Sequence, residues 1–233
     1  MNAHNYFSLK RFIGVLKMDM SRYITAGLIG FVILIILSLL FPIRDNITSI
    51  GAFYLILYIG GIIFTGKAFH DIHNANTSQP YLMLPCSNLE RFLSRWLLTS
   101  IIFSLLTLLF YFLSTMLATL VENTLLGFNV HPLNLSNPKI WYTIEQYMIL
   151  QPLFLLGAIF FKRYNVAKTL LMFSLFVGIL IAFTVIFSLV ICQTCDYTFS
   201  LISIFDKSFY LFWIALAPVC SYLTYLRITE SEI

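Results

Sequence analysis

Charged side chains are scarce in this chain. Asp, Glu, Lys and Arg make up 10% of its 233 residues, whereas 60% are hydrophobic. A soluble domain carries roughly 25% charged residues, so this composition cannot cover a water-facing surface, and a polytopic membrane protein is expected. Cysteine is sparse as well, with four in all, which is no disulfide framework of a small secreted domain. No phosphate-binding loop of the form G-x-x-x-x-G-K-[ST] occurs. After Gly66-Lys67, Ala68 stands where the metal-binding hydroxyl belongs. Any ATP-driven work must therefore use hydrolysis by another chain. A G-x-S-x-G elbow and an H-E-x-x-H helix are absent too. No acid, base and nucleophile converge at one depth, which argues against an enzyme, including one acting on lipid.

What is present is a series of apolar blocks. The opening MNAHNYFSLKRFIGVLKMDMSRY is broken up by charge and has neither the compact apolar core nor the small-residue cleavage site of a signal peptide. Within residues 5–22, Phe12, Ile13, Leu16 and Met20 recur at helical spacing among Lys10, Arg11, Lys17 and Arg22. That pattern predicts an amphipathic helix lying in the headgroup layer, its cations toward anionic lipid. Blocks close to the roughly 20 residues a bilayer needs then follow at Ile24–Phe41, Ile47–Thr65, Trp96–Val121, Trp141–Phe161, Thr169–Ile191 and Ser208–Leu226. The second contains Gly60-Gly61, which lets a neighbouring helix approach closely. A moderately apolar run, Tyr197–Phe205, is expected at the interface. With no Gly/Ser linker, low-complexity tract or internal repeat, residues 1–233 read as one domain. The fold expected is all-α, with six transmembrane helices, an N-terminal interfacial helix and a short cytoplasmic segment between spans 2 and 3.

Six spans place both termini on one side. Eleven of the fourteen Lys and Arg fall on that side, leaving Arg44, Lys139 and Lys207 on the other. The positive-inside bias makes the richer side cytoplasmic. It also accounts for the net charge of +4 without a nucleic-acid partner.

The longest polar interruption on that side is 66–95, GKAFHDIHNANTSQPYLMLPCSNLERFLSR. Ser87 and Glu90 match a capping box, the serine side chain accepting from the third helical N–H and the glutamate reaching back. Pro85 holds Cys86 in an extended connection. The helix from Asn88 carries Arg91 and Arg95 into the third block and reads as a knob attached to a membrane helix. His70, Asp71 and His73 lie close together but lack the fourth ligand and defined shell of a zinc site, so they read as solvated loop residues. Cys192-x-x-Cys195 is either a structural disulfide or two free thiols, and Cys220 is small packing. In the fourth block, Glu145, Gln146 and Gln151 are polar at membrane depth. Such groups face protein or water rather than lipid, which makes them candidates for a substrate path or subunit interface, unless Glu145 only snorkels to the headgroups. Pro152 and Pro218 can kink their helices.

The segment Tyr81-Leu-Met-Leu-Pro85-Cys-Ser87-Asn-Leu-Glu90-Arg-Phe-Leu-Ser-Arg95 resembles the loop of ABC-2-type transporter permeases, where a Leu-Pro-x-Ser-x-x-Glu pattern leads into the third span. Six spans, cytoplasmic termini and an amphipathic N-terminal segment are similar to that family over nearly the whole chain. The resemblance implies a permease subunit, an exporter of the bacterial inner membrane, with 5–22 as its elbow helix. It places ATPase coupling at His70, Asp71, His73, Tyr81, Pro85, Ser87, Glu90 and Arg91. It also implies a separate cytoplasmic P-loop ATPase holding ATP and Mg, a second permease chain in a homo- or heterodimer, and no cofactor on this chain. The alternative expectation is a non-transporting membrane anchor or regulatory subunit.

Overall fold

The computed structural model describes residues 7–40, 46–69, 86–126, 133–161, 164–192 and 198–230. Every element among them is helical. They are α1 (Leu9–Leu40), α2 (Asn46–Ala68), α3 (Asn88–Leu97), α4 (Phe103–Val121), α5 (Pro138–Phe160), α6 (Asn165–Cys192) and α7 (Thr198–Glu230). A π-helical turn, Leu98–Ile102, joins α3 to α4, and a second, Glu122–Leu126, follows α4.

Local chemistry explains several boundaries. Asn137 accepts from the Lys139 N–H at 3.1 Å, and Pro138 fills the first helical position. The fourth block therefore starts as a helix at Pro138 rather than Trp141. Neither Pro nor Gly separates the expected interfacial stretch from the first apolar block, and α1 passes from one to the other without a break over Leu9–Leu40. From Thr198 onward, the run expected at the interface likewise merges with the sixth block into α7.

Four helices among the described residues are long and apolar enough to cross a membrane: Ser49–Ala68, Asn88–Thr124, Pro138–Phe160 and Asn165–Phe183. Their surroundings reverse the order of a soluble core. Large apolar side chains such as Leu171, Ile179 and Phe183 are exposed, while Thr65, Thr99, Ser104 and Gln151 are buried. The buried hydroxyls mostly donate back along their own helix. Thr65 reaches the Gly61 carbonyl at 2.7 Å, Thr99 that of Arg95 at 2.8 Å, and Thr224 that of Cys220 at 2.7 Å. This satisfies them where water is lacking. An apolar exterior around such an interior is what an integral membrane protein requires.

Helix α5 is the centre of the bundle and packs most extensively on α7 and α2. Phe53 and Leu57 of α2, Tyr111 of α4, and Ile144 and Tyr147 of α5 form one core cluster. Ala68, Phe69, Leu155, Ile159 and Ile228 form a second. Gly61 permits the first cluster, because a Cβ there would run into the Tyr147 ring, whereas a Cβ at Gly60 would lie 3.3 Å from Phe103. The glycine pair thus admits side chains rather than a neighbouring backbone. Gly61→Ala is expected to lower stability by about 1–3 kcal/mol through overpacking. Gly51→Ala, which meets open space, should be neutral or slightly stabilising. Thermal unfolding of the two variants in detergent checks this.

Candidate functional site

The start of α3 gathers the polar side chains of the 66–95 segment that the structure describes. Ser87 is extended (φ −75°, ψ 155°), and its side chain accepts from the Glu90 N–H at 3.3 Å. Glu90 Oε2 accepts from the Ser87 N–H at 2.9 Å. The capping box is therefore complete. The other oxygen of Glu90 reaches a second helix, accepting from the Ser8 N–H at 2.6 Å and from Arg11 Nη2 at 3.2 Å. Ser8 precedes α1, and its carbonyl accepts from the Phe12 N–H in the first turn. One carboxylate thus sits at the N-termini of two helices, where the positive ends of both dipoles favour it.

One turn further, Ser94 and Arg95 repeat the arrangement in reverse. The Asp19 carboxylate of α1 accepts from Ser94 Oγ at 3.0 Å and pairs with Arg95 Nη2 at 3.0 Å. Arg95 Nη1 donates to the Ala68 carbonyl at the end of α2 and to the Tyr23 hydroxyl at 3.4 Å. That hydroxyl donates to the Lys67 carbonyl, also at 3.4 Å. Arg95 therefore caps the negative end of α2 while pairing with an acid of α1. Residues 87, 90, 91, 94 and 95 share one helical face. Glu90, Arg91, Ser94 and Arg95 are all buried, so the polar face of α3 points inward. Leu89 is exposed, and Arg91 Nε donates to Cys86 Sγ at 3.2 Å.

The π-helical turn follows directly, so the knob does not join its span through an unbroken α-helix. Tyr147 of α5 donates its hydroxyl to the Thr99 carbonyl in that turn at 2.9 Å. π turns in α-helices occur frequently at functional sites.

A groove of about 630 Å³ opens between α5 and α7. Glu145, Pro152, Pro218 and Ser221 line it, with Trp96 and Trp141. Of the three polar residues expected in the fourth block, only Glu145 is part of it. Gln151 is fully buried and donates through Nε2 to Thr65 Oγ1, joining α5 to α2, and Gln146 is half-buried. The three do not share one wall.

His70, Asp71, His73, Tyr81, Pro85 and Cys195 lie outside the described residues, as does the side chain of Cys192. Among the described residues no three His, Cys, Asp or Glu side chains could hold a metal ion. Cys220 is buried, as small packing requires. The sequence reading missed Asp19, although it is the only acid before Asp45, an unusual residue in a basic helix. It also missed Glu122, which is buried and whose carboxylate oxygens have no hydrogen-bond donor among the described residues. No family model, curated protein or solved structure matches this chain.

Removing one member of a buried ion pair strands the other, so Asp19→Ala is expected to cost about 3–5 kcal/mol. A double-mutant cycle with Arg95→Ala should show a coupling energy above about 1 kcal/mol. Additive losses, measured by unfolding in detergent, would contradict the pair.

Proposed function

We propose that this chain is the membrane-spanning permease subunit of an ABC-2-type ATP-driven transporter, an exporter of a bacterial cytoplasmic membrane. In this reading both termini are cytoplasmic, and α1 and α7 supply the first and sixth spans. The basic start of α1 lies in the headgroup layer, with Lys10 and Lys17 exposed toward anionic lipid. A cytoplasmic P-loop ATPase, with its own ATP and Mg, docks on 66–95, and a second permease chain completes the path.

The observation that carries the reading is the two-tier clamp of Glu90 and Arg95. It ties the start of α1, the end of α2 and the start of α3 into one body, and α3 continues into a membrane-length helix. At 1.5 Å per residue, Asn88–Thr124 measures about 55 Å against a hydrocarbon core of about 30 Å. The clamp therefore extends beyond a slab matched to Trp96–Val121. A push on the loop moves three helices together, and the π turn passes the motion to α5 through Tyr147. Coupling requires contacts that differ between two conformations, and the wider turn is where the clamped body and the span can change angle. Ser87, Glu90 and Arg91 set the angle of the knob from inside it, while the partner meets the outer face and the loop.

Two experiments test this. Tagged protein purified in mild detergent from its native host should bring down a stoichiometric P-loop ATPase, which is lost when residues 70–85 are scrambled. That replacement spares the Ala68 carbonyl and Cys86. A preparation free of any ATPase, even after crosslinking in cells, would favour the anchor reading. In the reconstituted complex, Ser87→Ala should cost about 1 kcal/mol of helix start and reduce transport-coupled ATP hydrolysis while leaving membrane insertion intact. Unchanged coupling in both Ser87→Ala and Glu90→Ala would remove the capping box from the mechanism.

A further inference from the structure

Three carboxylates are buried among the described residues, and two of them belong to the clamp. Asp19 pairs with Arg95, and Glu90 with Arg11. The third, Glu122, lies just past the far end of α4, about 40 Å from Arg95 at 1.5 Å per residue. It is 2% exposed. Among the described residues no ion pair includes it, and neither of its carboxylate oxygens has a hydrogen-bond donor. A buried charge persists only when it is paired or coordinates a metal ion.

The place of Glu122 in the helix sharpens that demand. It opens the π-helical turn that follows α4, at the end where helix carbonyls gather partial negative charge. α2 and α7 carry Lys67 and Arg227 in their last turns, whereas neither α4 nor the π turn has a basic residue there. A carboxylate and a helix C-terminus therefore meet with no cation from their own stretch of chain. The same face supplies further oxygen atoms. Thr115, Thr119 and Glu122 follow at four- and three-residue spacing, and all three are buried. Helical side chains lean toward the preceding turn, so the carboxylate overlies Thr119 and Ala118, the second of which offers only a methyl group. Thr119 donates its hydroxyl proton to the Met116 carbonyl and Thr115 to the Phe112 carbonyl, each at 2.9 Å. With those protons committed, both hydroxyl oxygens serve only as acceptors. Thr115 Oγ1 also accepts from the Leu133 N–H at 3.5 Å, which leaves Thr119 as the open neutral oxygen beside the carboxylate.

We propose that Glu122 and Thr119 hold one monovalent metal cation at the end of α4, with water completing its shell. Carboxylate and hydroxyl oxygens are ligands for hard cations, and helix C-terminal ends coordinate Na⁺ in other membrane proteins. One carboxylate balances one positive charge, whereas a divalent ion would leave a net charge in a buried site, where it is costly. The site lies at the other end of α4 from the 66–95 segment and fills without an ATPase, so it stands apart from the permease reading.

The test uses the full chain purified in mild detergent, with any accompanying subunit retained, and follows thermal unfolding at fixed pH and ionic strength. The probes are NaCl and KCl, and the reference is N-methylglucamine chloride. One of the two alkali ions should raise the wild-type Tm saturably, by about 3–6 °C once it exceeds its Kd tenfold. Glu122→Gln should lose that rise, and without alkali ions it should melt at or above the wild type, since no uncompensated charge remains. Thr119→Val keeps the side-chain shape and should weaken the ion about fivefold, the scale of one neutral oxygen contact. Four outcomes overturn the proposal: an equal rise with N-methylglucamine; no response to either alkali ion, as for a carboxyl group that takes only a proton; stabilisation by CaCl₂ alone; or equal ion affinity in wild type and in both variants.

Discussion

One guanidinium holds the Arg95 end of the bundle together. Arg95 is nearly fully buried, and a buried cation is tolerated only when paired and hydrogen-bonded. Its partners, Asp19, Tyr23 and the Ala68 carbonyl, come from α1 and α2, so satisfying this one charge brings three helices to a common point. Glu90 imposes a similar demand one turn earlier. It is buried as well, and its oxygens serve the first turns of α1 and α3 at once. Neither tier is strong evidence of high stability, because desolvation offsets much of the attraction. What the clamp supplies is a fixed geometry.

The rest of the bundle is organised around α5. Tyr147 and Gln151 link it to its neighbours by hydrogen bonds, the first to the Thr99 carbonyl and the second to Thr65. Away from the clamp, contacts rely on close packing at small residues such as Gly61 and Gly157, where an added Cβ would strike Tyr147 or Thr169. With lipid as the solvent, apolar surface gains little from burial, and close packing and hydrogen bonds take over. Helix α6 shows the limit of this arrangement: only 6% of its span is buried, and past its first turns it presents mainly exposed apolar side chains.

The clamp and the groove meet in the same helices. Trp96 follows Arg95 in sequence and lines the groove, while Tyr147, which fastens the π turn, is flanked on α5 by Met148 of the groove wall. In the permease reading, movement at the clamp therefore has a short physical route to the groove through one ring and one turn.

The sequence by itself determined what depends on neighbours within a few residues. The capping box of Ser87 and Glu90 was legible because donor and acceptor lie three positions apart, and the helices of the apolar blocks were legible because length and hydropathy suffice to define them. The all-helical membrane class follows from the same local facts. The pairing of Asp19 with Ser94 and Arg95 was not legible, since its members are separated by about 75 residues and nothing local marks which acid meets which base. The burial of Gln151 against Thr65, with Glu145 in a groove six residues earlier on the same helix, also required tertiary structure. A helix carries polar residues on any face at equal local cost, and only its neighbours decide which face they cover.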